Sequence, residues 1–139
     1  MMTTGTRAMR LDAYLNDAAS RRFSWAHHNC CHFAAAWVAA ETGRSPMEGL
    51  PWTHGYAAAR RLVRQLGGTL ADAWTRQLGR APIAATLAQV GDVVIVSPLG
   101  PGSEAVGLCA GRHAALLTEC DGLVMLPMEG ATLAWRIDA

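Results

Sequence analysis

The stretch WAHHNCCHFAAAW, Trp25 to Trp37, holds two of the four cysteines and three of the five histidines of the chain. Beyond its cysteines, Phe33 to Glu41 is rich in alanine, the strongest helix former. Gly43 and then Pro46 mark where such a helix stops. Asn29 is a favoured N-cap residue, because its side-chain oxygen accepts from a free backbone N–H of the first turn. Cys30 is therefore predicted as the first helical residue. There the macrodipole and the unpaired N–H groups favour negative charge. A thiol so placed ionises more easily, and the thiolate is its reactive form. Cys30 is the candidate nucleophile.

Two later segments follow the cysteine stretch in a telling order: Val90-Gly91-Asp92-Val93-Val94-Ile95-Val96 and Ala105-Val106-Gly107-Leu108. With Asn29-Cys30-Cys31-His32-Phe33 they resemble the NlpC-type cysteine peptidases, which are papain-like. The first segment is similar to that family's Asp-Cys-x-x-hydrophobic motif, the second to its Gly-Asp-hydrophobic strand, and the third to its His-Val-Gly-Ile. The order and spacing match over roughly residues 10 to 137. More narrowly, the chain resembles a phage-borne branch of small proteins coded among tail genes. That branch has the Cys30-Cys31 pair, the Thr-Gly-x-x-Pro of Thr42 to Pro46, and the Ala-Trp-Arg of Ala134 to Arg136.

The resemblance implies an α+β, papain-like NlpC-type fold, with N-terminal helices packed on a C-terminal antiparallel sheet. It implies a cleft at Cys30 with Asn29, Cys31, His28 and Asp92 as neighbours. It also implies a structural protein of a phage tail tip or of tail assembly, made in the host cytoplasm and carried in the virion. Its partners would be other tail-tip proteins, such as hub or distal tail proteins. The alternative is a working cysteine peptidase or amidase that cleaves peptidoglycan peptides during DNA entry. No cofactor is implied.

The departures from the family pattern bear on that choice. The family's catalytic histidine falls on Ala105, its aspartate before the nucleophile is Asn29, and the motif spacing does not place the third polar residue that orients the histidine. A cysteine without a base and an orienting group is poorly equipped for peptide hydrolysis, so catalysis is expected to be lost. Among the other imidazoles, His32 stands two residues past Cys30 and would point away from it on a helix. His113 lies in the hairpin turn after the strand that begins near Ala105, at that strand's far end. His27, His28, Cys30, Cys31 and His32 are all metal-ligand types, and His27–Cys31 and His28–His32 have i, i+4 spacing. Structural zinc draws on two separated ligand pairs, and only the distant Cys109 and Cys120 could complete a set. The expectation is therefore no metal, with a metal-dependent assembly module as the third class of function.

At 139 residues the chain fits one domain with its own core. Hydrophobic residues at 51% and charged residues at 17% exclude a disordered chain. Twelve basic and eleven acidic side chains leave a net charge of +1, which argues against an electrostatic nucleic-acid binder. The pieces Arg21-Arg22 and Arg60-Arg61 with Arg64 read as solvated helix faces. Four cysteines in a chain of this size do not make a disulfide framework. MMTTGTRAMR has no apolar h-region, and no apolar run approaches the ~18 residues of a membrane span.

In order, residues 1–9 read as a flexible tail and 10–139 as the domain. Helices are predicted over Arg10–Ala19, from Cys30, over Thr53–Leu66 and over Leu70–Leu78, each with apolar residues at spacings of three and four. Gly43–Pro51 reads as a loop, and Trp52 beside it as a candidate protein contact. Strands are predicted over Asp92–Ser97, Ala105–Ala110, Ala114–Glu119, Leu123–Pro127 and Thr132–Ile137. Asp121-Gly122 between two apolar runs signals a hairpin. Helices first and an antiparallel meander second is an α+β pattern.

Overall fold

The computed structural model describes residues 5–51, 55–98, 100 and 103–137. Four helices precede the main sheet: α1 (Arg7–Ala19), α2 (Cys30–Thr42), α3 (Tyr56–Gln65) and α4 (Leu70–Leu78). Helix α1 starts a turn earlier than predicted, because the Thr6 side chain caps it by accepting from the Met9 N–H. Residues 7–9 therefore belong to the helix and not to a tail. Arg7 and Arg10 use that extra turn to grip Glu41 of α2, at 3.1 and 2.8 Å. Helix α3 begins at Tyr56 after Gly55, later than the predicted Thr53, which lies outside the described residues. Helix α4 has the predicted bounds: the Thr69 side chain caps its start and left-handed Gly79 ends it. No helix among the described residues is long and apolar enough to cross a membrane.

Six strands follow: β1 (Ile83–Ala84), β2 (Val93–Val96), β3 (Ala105–Cys109), β4 (His113–Thr118), β5 (Gly122–Pro127) and β6 (Ala131–Trp135). They form one sheet in the order β1-β6-β2-β3-β4-β5, with antiparallel pairing throughout. The molecule is thus α+β, with helices N-terminal and sheet C-terminal. Strands β2 to β5 are the expected meander, while β6 returns to the far side of β2. The two-residue β1 has no counterpart in the sequence reading, since two residues are too few to show a period.

Alternation along the strands sorts the core into two faces. Val93, Ile95, Val106, Leu108, Ala115 and Leu117 face the helices, meeting Leu11, Phe33, Trp37 and Trp74. Val94, Val96, Cys109, Ala114, Leu116 and Ala134 form the second cluster. No helix covers that second face among the described residues. Its burial comes from the sheet's own periphery, Ile83, Val124, Leu126 and Met128. Val94 and Ala114 on that face are 0% exposed, and Ala88 and Ala131 beside the connecting turns also pack there. Gly107 lets β3 lie close against β4. A Cβ there would stand 2.5 Å from the Ala115 carbonyl oxygen.

Candidate functional site

The site is built where the start of α2 meets the start of β3. Residues 24–28 close a compact turn, with Ser24 N–H donating to the His28 carbonyl at 2.7 Å and His28 N–H to that of Ser24 at 2.9 Å. Asn29 follows in extended conformation. Its Oδ1 accepts from the N–H groups of Cys31 and His32, both at 3.1 Å. Its Nδ2 donates back to the carbonyls of Trp25 at 2.8 Å and Ser24 at 3.3 Å. One buried amide therefore caps the helix and ties the turn to it. Trp25 extends the tie to the sheet by donating its indole N–H to Glu119 at 2.7 Å. Cys30 is the first residue of α2, as predicted.

The β3–β4 ladder explains what the thiol meets. Its pairs are Leu108 with Ala115 and Cys109 with Ala114. Continued two steps, that register would set Val106 against Leu117, but the ladder ends at Leu108. The Val106 N–H, released from the ladder, is directed to the Cys30 sulfur. The thiol takes the place of a strand carbonyl as acceptor.

The two sulfurs divide the labour. The Cys31 thiol donates to Cys30, and this holds the Cys30 thiol below the ordinary cysteine value. Burial opposes the shift; the N–H groups of Val106, Cys31 and Cys30 itself reinforce it. Cys31 is pushed well above the ordinary value, first by its bond to Cys30, then by burial and by the neighbouring negative charge. Trp74 works against that rise. Cys31 lines a small apolar cavity of about 40 Å³ together with Trp74, Met47 and Leu70. The pair thus sets a thiol whose ionisation is eased, Cys30, beside one whose ionisation is disfavoured, Cys31. All four cysteines are free.

The expected neighbours come together only in part. Asn29 and Cys31 stand at the site. His28 is buried and turned toward α1, where its Nε2 bonds the Ala18 carbonyl at 3.2 Å. Asp92 is not a cleft residue. Its backbone carbonyl accepts from the Cys109 N–H, at the opposite end of β3 from Val106, and its carboxylate holds the Gln89 N–H at 2.8 Å. The Gly-Asp pair serves a turn and not the thiol. Ala105 adjoins Val106 as expected, but its methyl group packs with the second cluster, on the face away from α2. The side chain that β3 offers to the helix side is Val106.

Two further imidazoles among the described residues are engaged or placed elsewhere. The His32 ring Nδ1 pairs with the Asn29 amide at 2.8 Å, as acceptor, since that Nδ2 can only donate. Burial lowers the basicity of His28 and His32 alike. His113 begins β4 and is exposed, beside the Cys109 end of β3. Among the described residues no group of three or more His, Cys, Asp or Glu side chains is arranged to hold a metal. Cys109 faces the second cluster and Cys120 is exposed, so neither joins the Cys30 pair. Val106 and Trp74 were missed by the sequence reading. One acts through its backbone and the other from 43 positions on in the chain, so no local motif signals either.

This geometry predicts a specific titration. Alkylation of Cys30 by iodoacetamide, followed by peptide mass spectrometry, should rise with pH about a midpoint below that of a free cysteine. Cys31→Ala removes the strongest stabilising donor, so the midpoint should move up. A midpoint that stays put or falls in Cys31→Ala would contradict the assignment of Cys31 as donor.

An α+β domain with a cysteine at a helix start, held against a sheet, is the class that fold and site define. Residues 4–137 match a family described as a domain of unknown function, DUF6950, and the chain belongs to that family. No curated protein matches it.

Proposed function

We propose that this chain is a structural component of a bacteriophage tail tip, built on a papain-like NlpC-type fold that has lost peptide hydrolysis. The observation that carries the loss of hydrolysis is the surroundings of Cys30. Its donors are a second thiol and backbone N–H groups, and β3 turns Val106 toward it where a hydrolase needs a base. Acyl transfer to water requires a group that accepts and returns a proton. Among the described residues, the Cys30 site offers the nucleophile without a side chain placed to do this. The tail assignment is supported by the resemblance of Cys30-Cys31, Thr42 to Pro46 and Ala134 to Arg136 to the phage tail-gene branch. Other tail-tip proteins are the partners this reading requires.

The lowered Cys30 thiol favours a second reading, a cysteine peptidase or amidase acting on peptidoglycan peptides during DNA entry. One substitution separates the two. Cys30→Ser nearly conserves volume and keeps the helix start, so a structural part should give normal particle yield by electron microscopy and near-normal infectivity. Normal yield with infectivity reduced by orders of magnitude would favour the second reading. Particles that fail to assemble would give Cys30 a structural role that this account does not assign.

A further inference from the structure

At the opposite end of α2, about 20 Å along the helix from Cys30, lies a groove of about 580 Å³. It is bounded by the C-terminal ends of α2 and α4 and by the end of β6. Four arginines line it, Arg44, Arg76, Arg80 and Arg136, and none of its described lining residues is acidic. The ion pairs among the described residues are those of Arg7 and Arg10 with Glu41 and of Arg21 with Asp17, so none of the four is in an ion pair there. Arg80 donates to the Arg136 carbonyl at 2.6 Å, which sets two of them side by side.

The ordinary explanation is that arginines neutralise helix C-termini. Two such ends meet here, and each carries about half a negative charge. Buried Asp92, on which Arg136 acts, adds one more. About two positive charges remain without a counterpart. Guanidinium groups recognise carboxylates and phosphates through paired N–H donors. At about 580 Å³ the groove has the volume of a site for a ligand larger than one small anion. Its walls also carry Leu78 and Ile137 and no aromatic ring. Single-stranded nucleic acid would call for stacking platforms and a basic chain, whereas this chain has a net charge of +1.

We infer that the four-arginine groove binds an acidic peptide segment of a partner protein, with carboxylates on the guanidinium groups and apolar side chains on Leu78 and Ile137. The groove is remote from Cys30, so this binding holds whether or not the tail role is correct.

The test is fluorescence anisotropy with a fluorescein-labelled decapeptide of alternating glutamate and leucine. The purified full chain should bind it, and more weakly as salt rises. Arg44→Gln/Arg76→Gln/Arg80→Gln should weaken binding by roughly tenfold or more, as expected for three partly exposed pairs. The glutamine–leucine peptide should bind as poorly to the unaltered chain. Arg61→Gln/Arg64→Gln, on α3 outside the groove, should leave binding unchanged. If the triple variant melts early, the single changes Arg76→Gln and Arg80→Gln serve instead, each costing about threefold. No binding at millimolar peptide would overturn the inference. So would equal loss in the α3 variant, displacement by low-millimolar inorganic phosphate, or tenfold tighter binding of a single-stranded decanucleotide.

Discussion

Trp37→Ala is expected to cost about 4 kcal/mol of unfolding free energy, within the range for removing a buried large aromatic side chain. Domains of this size have only about 5–15 kcal/mol in total, so the variant should be partly unfolded near body temperature. Trp37 is 1% exposed and packs on Tyr14 with ring centres 5.5 Å apart. Its indole N–H donates to the Gly91 carbonyl at 2.8 Å. Gly91 sits at φ +91°, and any Cβ there would meet Arg7 at 2.7 Å and the Trp37 ring at 3.2 Å. The tryptophan, the glycine turn before β2 and the Arg7–Glu41 pair thus form one joint between α1, α2 and the sheet. Trp37→Phe keeps most of the packing and should cost less, even though it leaves the Gly91 carbonyl unpaired at about 1–3 kcal/mol. Urea unfolding followed by fluorescence measures both. A Trp37→Ala loss below about 2 kcal/mol would mean that the joint does not hold the layers together.

Asn29→Asp is expected to destabilise by about 2 kcal/mol and to raise the pH midpoint for Cys30 alkylation. An aspartate keeps the acceptor that caps α2, so a cap argument alone would predict no loss. The Asn29 amide also donates to the Ser24 and Trp25 carbonyls and to the His32 ring. A carboxylate has no proton to give them, and it would sit buried against two carbonyl oxygens. Its charge beside the thiol would disfavour the thiolate. This is a physical reason for asparagine at a position where the resembling family has aspartate. Denaturant titration reads the first effect and alkylation the second. An Asn29→Asp protein as stable as the unaltered one, with the Cys30 midpoint unmoved, would show that the donor half of the amide is idle.

Much of the scaffold was legible because local signals agreed. Asn29, the alanine run and Gly43 set α2 within its observed bounds, and α4 was read over its observed Leu70–Leu78 with Gly79 closing it. Asp121-Gly122 marked the β4–β5 turn, and the alternating apolar runs gave five of the six strands. What failed depended on facing and on distance. A Gly-Asp pair next to a strand reads the same whether its carboxylate serves a cleft or a turn, and only the register put Asp92 at the wrong end of β3. Ala105 could be placed beside Cys30 in the chain order, but not on a face of a strand whose partner ladder breaks at Gly107. The arginines of the groove lie at 44, 76, 80 and 136, and no window of sequence shows them as a cluster. Trp52 lies outside the described residues, so the expected contact at the end of the 43–51 loop has no structural counterpart here.

The central claim is that Cys30 is a thiol held below the ordinary cysteine value without a hydrolytic base placed on it among the described residues. The most direct measurement is release of soluble fragments when the purified chain is incubated with isolated peptidoglycan, read by chromatography and mass spectrometry beside Cys30→Ser. The account predicts no release from either protein, while the Cys30 alkylation midpoint of the unaltered chain stays low. Fragment release by the unaltered chain that disappears in Cys30→Ser would contradict it and establish a working peptidase or amidase.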